Sequence, residues 1–437
     1  MARPAKRAPS GTRARPVERG RSARDRDGGA VTTPEVIVVG AGPAGLAAAL
    51  ALHARGIAVT VLEAEDAGRV RPGSRALYVH RDSLRLLEGV RPGLGRDIAG
   101  YGLTWRVRRT VYHGRQVFER TRPDLPPGVL PPFTSLRQTD TERFLRGACE
   151  SAGIPIEWGT PVEAVSSSAD GVTVGTADGR ERRAAYVVGA DGARSTVRRS
   201  LGVAATGPRT EGFHVVLDVE ADHDDDLLRA RTFHYRHPRL GGRHVLLVPF
   251  TGGFQVDLQC RCDDSAADWD DEAAVHEWLR QVVDPSYVPR IRWISTYRFL
   301  RVVADDFTDV HRRVLLAGEA AHLFPPFGAR GMNSGFADAV AAAAAVAEAR
   351  DAGGPERAAA VGRFAVERRA AAVRNAAATE RALAHLAPGR SGRFRQAAAA
   401  ALSPLVPRCG RWLELAPYGV AGSARPAGNG GGGGGRY

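Results

Sequence analysis

The chain is poor in several features that would assign it quickly. Its four cysteines (Cys149, Cys260, Cys262, Cys409) are spread over 437 residues, too thinly for a disulfide framework in a chain of this length. Cys260 and Cys262 are separated by one residue and no second ligand pair follows, so no metal site is expected. This usage fits a reducing, cytoplasmic setting. No run of about 18 apolar residues occurs, so no transmembrane helix and no integral membrane association are expected. The longest apolar stretches, Ala339–Ala347 and Ala397–Leu402, are short and alanine-rich. Lysine is reduced to Lys6. With so much alanine and glycine, the arginine content reads as a GC-rich coding bias and says little about partners.

What is present first looks like a nucleic-acid signal, a net charge of +13. Its location argues otherwise. Residues 1–30 contribute +6 and residues 381–437 contribute +7, leaving residues 31–380 formally neutral. No basic groove is demanded on the folded body, and no nucleic-acid partner is expected. Residues 1–30 lack an apolar stretch, so they are no ordinary secretory signal and read as a disordered basic tail. Over-extension of the start, with Val31 as the true first residue, is an alternative reading. Residues 426–437 read as a glycine-rich tail.

Between these ends strand and helix patterns alternate, as in α/β proteins. Short buried strands are expected at Val36–Val39, Ile57–Leu62, Tyr186–Val188 and Val314–Ala317. Helices are expected at Ala44–Arg55 and Thr139–Ala152. From about 205 to 300 the pattern changes to half-buried antiparallel strands. In Phe254–Cys260, for example, Phe254, Val256, Leu258 and Cys260 alternate with Gln255, Asp257 and Gln259. From Ala337 onward the chain is mostly alanine-rich helix.

The strongest motif is Val36-Ile-Val-Val-Gly40-Ala-Gly42-Pro-Ala44-Gly45, a strand, a GxGxxG turn and a helix start. Gly40 permits the tight turn, Gly42 lets backbone N–H groups approach a pyrophosphate, and Gly45 allows close helix–sheet packing. The second strand ends at Glu63, placed to accept hydrogen bonds from ribose hydroxyls. Two later motifs follow in order. Tyr186-Val-Val-Gly-Ala-Asp191-Gly192 ends a buried strand in an acid-glycine turn, with Ser195 as a helix cap. Arg313-Val-Leu-Leu-Ala-Gly318-Glu319 delivers an acid at a strand end, followed by Pro325-Pro326-Phe-Gly328-Ala-Arg-Gly331-Met332-Asn333. That loop opens a helix near Asn333, whose N-terminal N–H groups would stabilise an electron-rich carbonyl. His322 reads as a hydrogen-bonded core histidine.

Together these segments, over about residues 34–345, resemble the aromatic-hydroxylase family of FAD monooxygenases, the p-hydroxybenzoate hydroxylase type. The resemblance implies an α/β fold in which a Rossmann-like FAD-binding domain is interleaved with an antiparallel-sheet substrate domain, plus a C-terminal helical segment. On that basis residues 31–205 and 301–345 form the FAD-binding domain, 206–300 the substrate sheet and 346–425 the C-terminal helices. It assigns the ADP half of FAD to Gly40, Gly42, Ala44, Gly45 and Glu63. It places Arg75 and Gln138 beside the cofactor, and Asp191 in contact with FAD and NAD(P)H. Glu319 falls on the ribityl chain, where the family usually carries aspartate. Gly331, Met332 and Asn333 offer backbone N–H groups to the flavin, and the carbonyl of Pro326 lies beside the reacting region. The implied reaction is reduction of FAD by NADPH or NADH, addition of molecular oxygen at flavin C4a, and hydroxylation of a small aromatic or polyketide-like substrate. Candidate substrate-lining residues are His214, His234, Tyr235, His244, Asp257 and Gln259, with a phenol-deprotonating base among the possibilities. Arg194 and Arg198 are candidates for the nicotinamide phosphates. A flavin halogenase of the same fold needs a lysine that the body lacks. A flavin reductase or dehydrogenase without oxygen insertion remains the alternative.

Overall fold

The computed structural model describes residues 34–69, 77–208 and 212–420. The segments 1–30 and 426–437, and Arg75, lie outside the described residues. Five short parallel strands form the central sheet, in the order Val314–Leu316, Tyr186–Gly189, Val36–Val39, Val59–Leu62, Ile156–Glu157. In the first four of these strands the Val, Ile and Leu side chains are buried on both faces, which is why they read as continuous apolar runs. Every residue of helix Pro43–His53 from Gly45 to Leu52 is buried. The helix is apolar all round because it lies inside the core and packs along helix Arg330–Asp351. Glycine makes that approach possible: a Cβ on Gly335 would sit 3.2 Å from the Cβ of Ala44.

The second sheet has seven strands, ordered Ile291–Tyr297, His214–Glu220, Gly253–Gln259, Arg243–Phe250, Ala230–His237, Val107–Tyr112, Arg115–Thr121. Its pairs are antiparallel except Ala230–His237 with Val107–Tyr112, which run parallel. The sheet therefore reaches outside 206–300 and recruits a hairpin from residues 107–121. Within 206–300 the helices Ala267–Asp270 and Glu272–Leu279 interrupt the strands. Helix Glu272–Leu279 packs on one face of the sheet, over Phe213, Val215, Leu217, Phe254, Val256 and Leu258. As the alternation predicts, Phe254, Val256, Leu258 and Cys260 all point into this core.

The opposite face is divided. Its Tyr235 end is closed by helices Gly354–Leu386, Arg390–Leu402 and Pro407–Leu415. Tyr235 Oη donates to the carbonyl of Leu413 at 2.6 Å and lies 2.8 Å from His385 Nε2. Leu77 packs on Val248 and Phe250 near the middle of this face. No described helix is long and apolar enough to cross a membrane.

Candidate active site

The three motif turns meet at one edge of the parallel sheet. The first strand pairs with both neighbours in register, so Val39 stands opposite Leu62 and Gly189, and the three strands end together. Gly40 adopts φ +102°, and a Cβ there would lie 2.5 Å from the carbonyl oxygen of Ala190, beside Asp191. The first and second turns are thus in van der Waals contact. The third turn closes on the same point: a Cβ on Gly318 (φ +61°) would sit 2.9 Å from that of Ala44.

Two features fit this edge to an anionic dinucleotide. Helices Pro43–His53 and Arg330–Asp351 begin beside it, neither has a side-chain cap, and neither carries an acid in its first turn. Their first N–H groups lack intrahelical partners, and the positive ends of two helix dipoles converge. Gly42 is the only glycine of the fingerprint whose Cβ would meet nothing within 4 Å, whereas a Cβ on Gly45 would strike the Gly40 carbonyl at 1.9 Å. Space over Gly42 is what a pyrophosphate needs.

The acids behave differently from one another. Glu63, 6% exposed, accepts from the N–H of Ala41 at 2.5 Å and of Glu65 at 3.0 Å. It also pairs with Arg69 at 2.8 Å. Arg69 is a residue that motif reasoning missed. It donates to the Ala41 carbonyl at 3.0 Å, pairs with Glu65, and lies over Trp158. Only its spacing after Glu63 could have drawn notice. Asp191 folds its own turn, accepting from Ser195 Oγ and the N–H of Val197, while Ser195 caps the following short helix. Glu319 is exposed and forms no ion pair or hydrogen bond among the described residues. Gln138 opens helix Gln138–Ser151 and donates to Glu142 at 3.0 Å. Arg198 donates to the Ala320 carbonyl at 2.8 Å, joining second and third turns, whereas Arg194 is exposed.

Behind Gly318 lies a network that sequence reading caught only at His322. Asp338 is fully buried and accepts from Gly318 N at 3.1 Å and Arg368 at 2.7 Å, with His322 Nε2 at 2.7 Å. Burial raises the Asp338 pKa, but His322 and Arg368 outweigh it and hold the carboxyl below its usual range.

The loop before the late helix is strained. Ala329 is left-handed, at φ +51°, and the Pro326 carbonyl accepts from its N–H at 2.9 Å. Gly331, Met332 and Asn333 occupy the first helical turn that opens there. The Asn333 side chain uses its whole hydrogen-bonding capacity. It donates to the carbonyls of Tyr78 (2.9 Å) and Ala329 (2.8 Å) and accepts from His80 N (2.9 Å) and Ser83 Oγ (2.7 Å).

Across from this loop stands part of the seven-stranded sheet. His214 packs at 4.6 Å centroid distance from Phe299 and 5.8 Å from Phe327, the residue after Pro326. Its Nδ1 is 2.6 Å from Asp257 Oδ1. Register places Gln259 opposite both His214 and His244, so these residues and Asp257 share one face. His234 stands opposite Val245, on the Phe254 side, and does not belong to this group. Tyr235 and His244 are covered by the C-terminal helices. His244 Nε2 lies 3.2 Å from the Leu386 carbonyl, and burial lowers its pKa to about 3. Of the six candidates, His214, Asp257 and Gln259 remain near the loop.

A match to the FAD binding domain family runs from residue 33 to 377. The chain belongs to that family. It is 30% identical over 323 residues to rifampicin monooxygenase of Streptomyces venezuelae, covering 70% of this chain and 62% of that protein. It is 32% identical over 320 residues to 6-methylpretetramide 4-monooxygenase of Streptomyces rimosus, covering 70% and 54%. The chain thus spans less than two thirds of the length of these relatives. Its fold superposes on p-nitrophenol 4-monooxygenase from Pseudomonas putida with TM-score 0.73 at 24% identity, covering 88% and 97% of the two chains. With anhydrotetracycline hydroxylase from Streptomyces rimosus the TM-score is 0.66 at 25% identity, covering 89% and 76%. The three converging turns all lie within the matched span.

Proposed function

We propose that this protein is an FAD-dependent monooxygenase that uses NAD(P)H and molecular oxygen to hydroxylate a small aromatic or polyketide-like molecule. The observation that carries the reading is the meeting of three glycine-containing turns and two uncapped helix starts, with a polar patch of the second sheet facing the last of those turns. Bound FAD would supply the redox chemistry that activates oxygen. The chain's own part is to bind, orient and exclude water. N–H groups after Gly42 hold the pyrophosphate, and Glu63 the adenosine ribose. Asp191 and Glu319 lie along the polyol chain, and the first turn at Gly331, Met332 and Asn333 receives the ring. Arg75 and Gln138 are proposed neighbours of the cofactor. The Pro326 carbonyl edges the reacting region, and the apolar side chains of Leu246 and Phe299 keep it dry.

The test is to load the purified protein with FAD and follow NADPH and NADH oxidation with a panel of phenols and polyketide aglycones. Hydroxylated product formed in step with nicotinamide oxidation supports the reading. Reduction that yields only hydrogen peroxide with every compound favours a reductase.

A further inference from the structure

The polar residues on the sheet face opposite the Pro326 loop are arranged as a proton acceptor. His214 and Asp257 lie 43 positions apart and come together because their strands pair antiparallel, placing His214 diagonally from Asp257 on one face. A carboxylate can only accept, so the 2.6 Å contact fixes Nδ1 as the protonated nitrogen. The lone pair of Nε2 is then left over, and among the described residues Nε2 makes no hydrogen bond. Phe299 and Phe327 flank the ring. The dyad is mostly buried, with side chains 7% and 14% exposed. The other titratable groups around it are Tyr297, opposite His214 in the register, and His244, two strands away. Tyr297 belongs to the same aromatic wall, and His244 is held by Leu386 at the Tyr235 end of the same face.

We propose that His214 is the base that removes the phenolic proton of the substrate, with Asp257 as its positioning residue. This rests on the monooxygenase reading. The substrate O–H bond breaks and the proton passes to His214 Nε2. The electron pair stays on the phenolate oxygen, and Asp257 faces the resulting imidazolium through Nδ1–H. The phenolate enriches its ring in electrons, as electrophilic hydroxylation requires. The site thus selects compounds with a free phenolic hydroxyl over their O-methyl ethers.

The experiment uses the FAD-loaded full chain with 4-nitrophenol as probe, whose ionised form is yellow. Bound 4-nitrophenol should ionise at a pH at least about one unit below its value in free solution, and His214→Gln should return it to that value. His214→Gln should keep its FAD content while kcat for the phenols hydroxylated by wild type falls by about 10²–10⁴-fold, with KM little changed. Asp257→Asn should give a smaller loss and move the acid limb of the kcat profile to lower pH, since an amide supports the imidazolium less well. A merely structural Asp257 would leave that limb in place. The proposal is overturned if 4-nitrophenol does not bind, binds with its free-solution ionisation, or is ionised equally by His214→Gln. It is also overturned if O-methyl ethers are hydroxylated as fast as the phenols. Hydroxylation that persists in His214→Gln removes the base but leaves the monooxygenase reading intact, whereas a wild type that hydroxylates nothing removes both.

Discussion

Gly42 and Gly45 are three residues apart and have opposite sensitivities. Gly42 has φ −79° and open space where a Cβ would go, so its backbone tolerates any side chain. Gly42→Val should fold with near wild-type stability yet bind no FAD, because the new side chain fills the phosphate position. Gly45→Ala puts a methyl group 1.9 Å from the Gly40 carbonyl and should cost about 1–3 kcal/mol through forced backbone movement. Flavin absorbance together with urea unfolding separates the two, and a yellow Gly42→Val protein would contradict the assigned pyrophosphate site. Arg231 is a long charged side chain inside the fold. It is 1% exposed, and its Nε and Nη1 are buried without partners. Its guanidinium lies over the ring faces of Phe233 and Tyr418, at 5.3 and 4.9 Å, with no ion pair among the described residues. A buried guanidinium without a carboxylate is a liability to the fold, only partly relieved by aromatic contact. Arg231→Met should therefore stabilise the cofactor-free protein by about 1–3 kcal/mol, read as a higher urea midpoint; a lower midpoint would mean that the guanidinium is stabilising where it is.

At the scale of elements, Asp338 ties together the strand-end turn at Gly318, His322 and the helices Arg330–Asp351 and Gly354–Leu386. Asp338→Ala leaves the Arg368 charge without its buried partner and should cost about 3–5 kcal/mol. The loss should appear as a lower thermal midpoint with the flavin released early, since the Gly318 turn borders the proposed dinucleotide site. The network should also respond to acid. The folded pKa of Asp338 lies below its unfolded value, so its contribution is present above the ordinary carboxylate range and is lost as pH falls through the folded pKa. None of these links could be read from one sequence. The glycine turn, the Asp-Gly turn and the short apolar strands were legible because each is local: a period, a cap or a φ requirement within a dozen residues. The pairing of Val107–Tyr112 with Ala230–His237, the bonds from Asn333 to residues some 250 positions earlier and the meeting of His214 with Asp257 depend on register between distant segments. The misplacement of His234 has the same origin. Alternation fixes which residues share a face within one strand, but which face meets the loop is decided by its partners.

The molecule as a whole carries several histidines that burial keeps neutral. Burial is the largest cause in each case, holding His80, His234 and His385 at about 4 and His244 at about 3, with Arg330, His237 and Arg395 as the next causes for the first three and His385 for the last. These folded values lie below the unfolded imidazole value of about 6.5, so between roughly pH 6.5 and 4 the unfolded chain binds more protons than the folded one. Stability should be full above that window and fall as pH drops through it, with about three to four protons taken up on unfolding near its middle. The positions of two of these histidines say where the molecule gives way first. His244 and His385 both lie where the C-terminal helices close over the Tyr235 end of the sheet, one facing the Leu386 carbonyl and the other Tyr235. Protonating them puts two cations at a buried seam where, among the described residues, no carboxylate is bonded to either ring. Amide exchange at pH 5 should therefore accelerate in helices Gly354–Leu386 and Pro407–Leu415 before it does in the parallel strands Val36–Val39 and Tyr186–Gly189. The double variant His244→Leu/His385→Leu removes both ionisations and should flatten the stability profile between pH 7 and 5 by up to about half, the rest coming from the other histidines with lowered values. An unchanged slope in that variant would place the acid-sensitive protons elsewhere in the molecule.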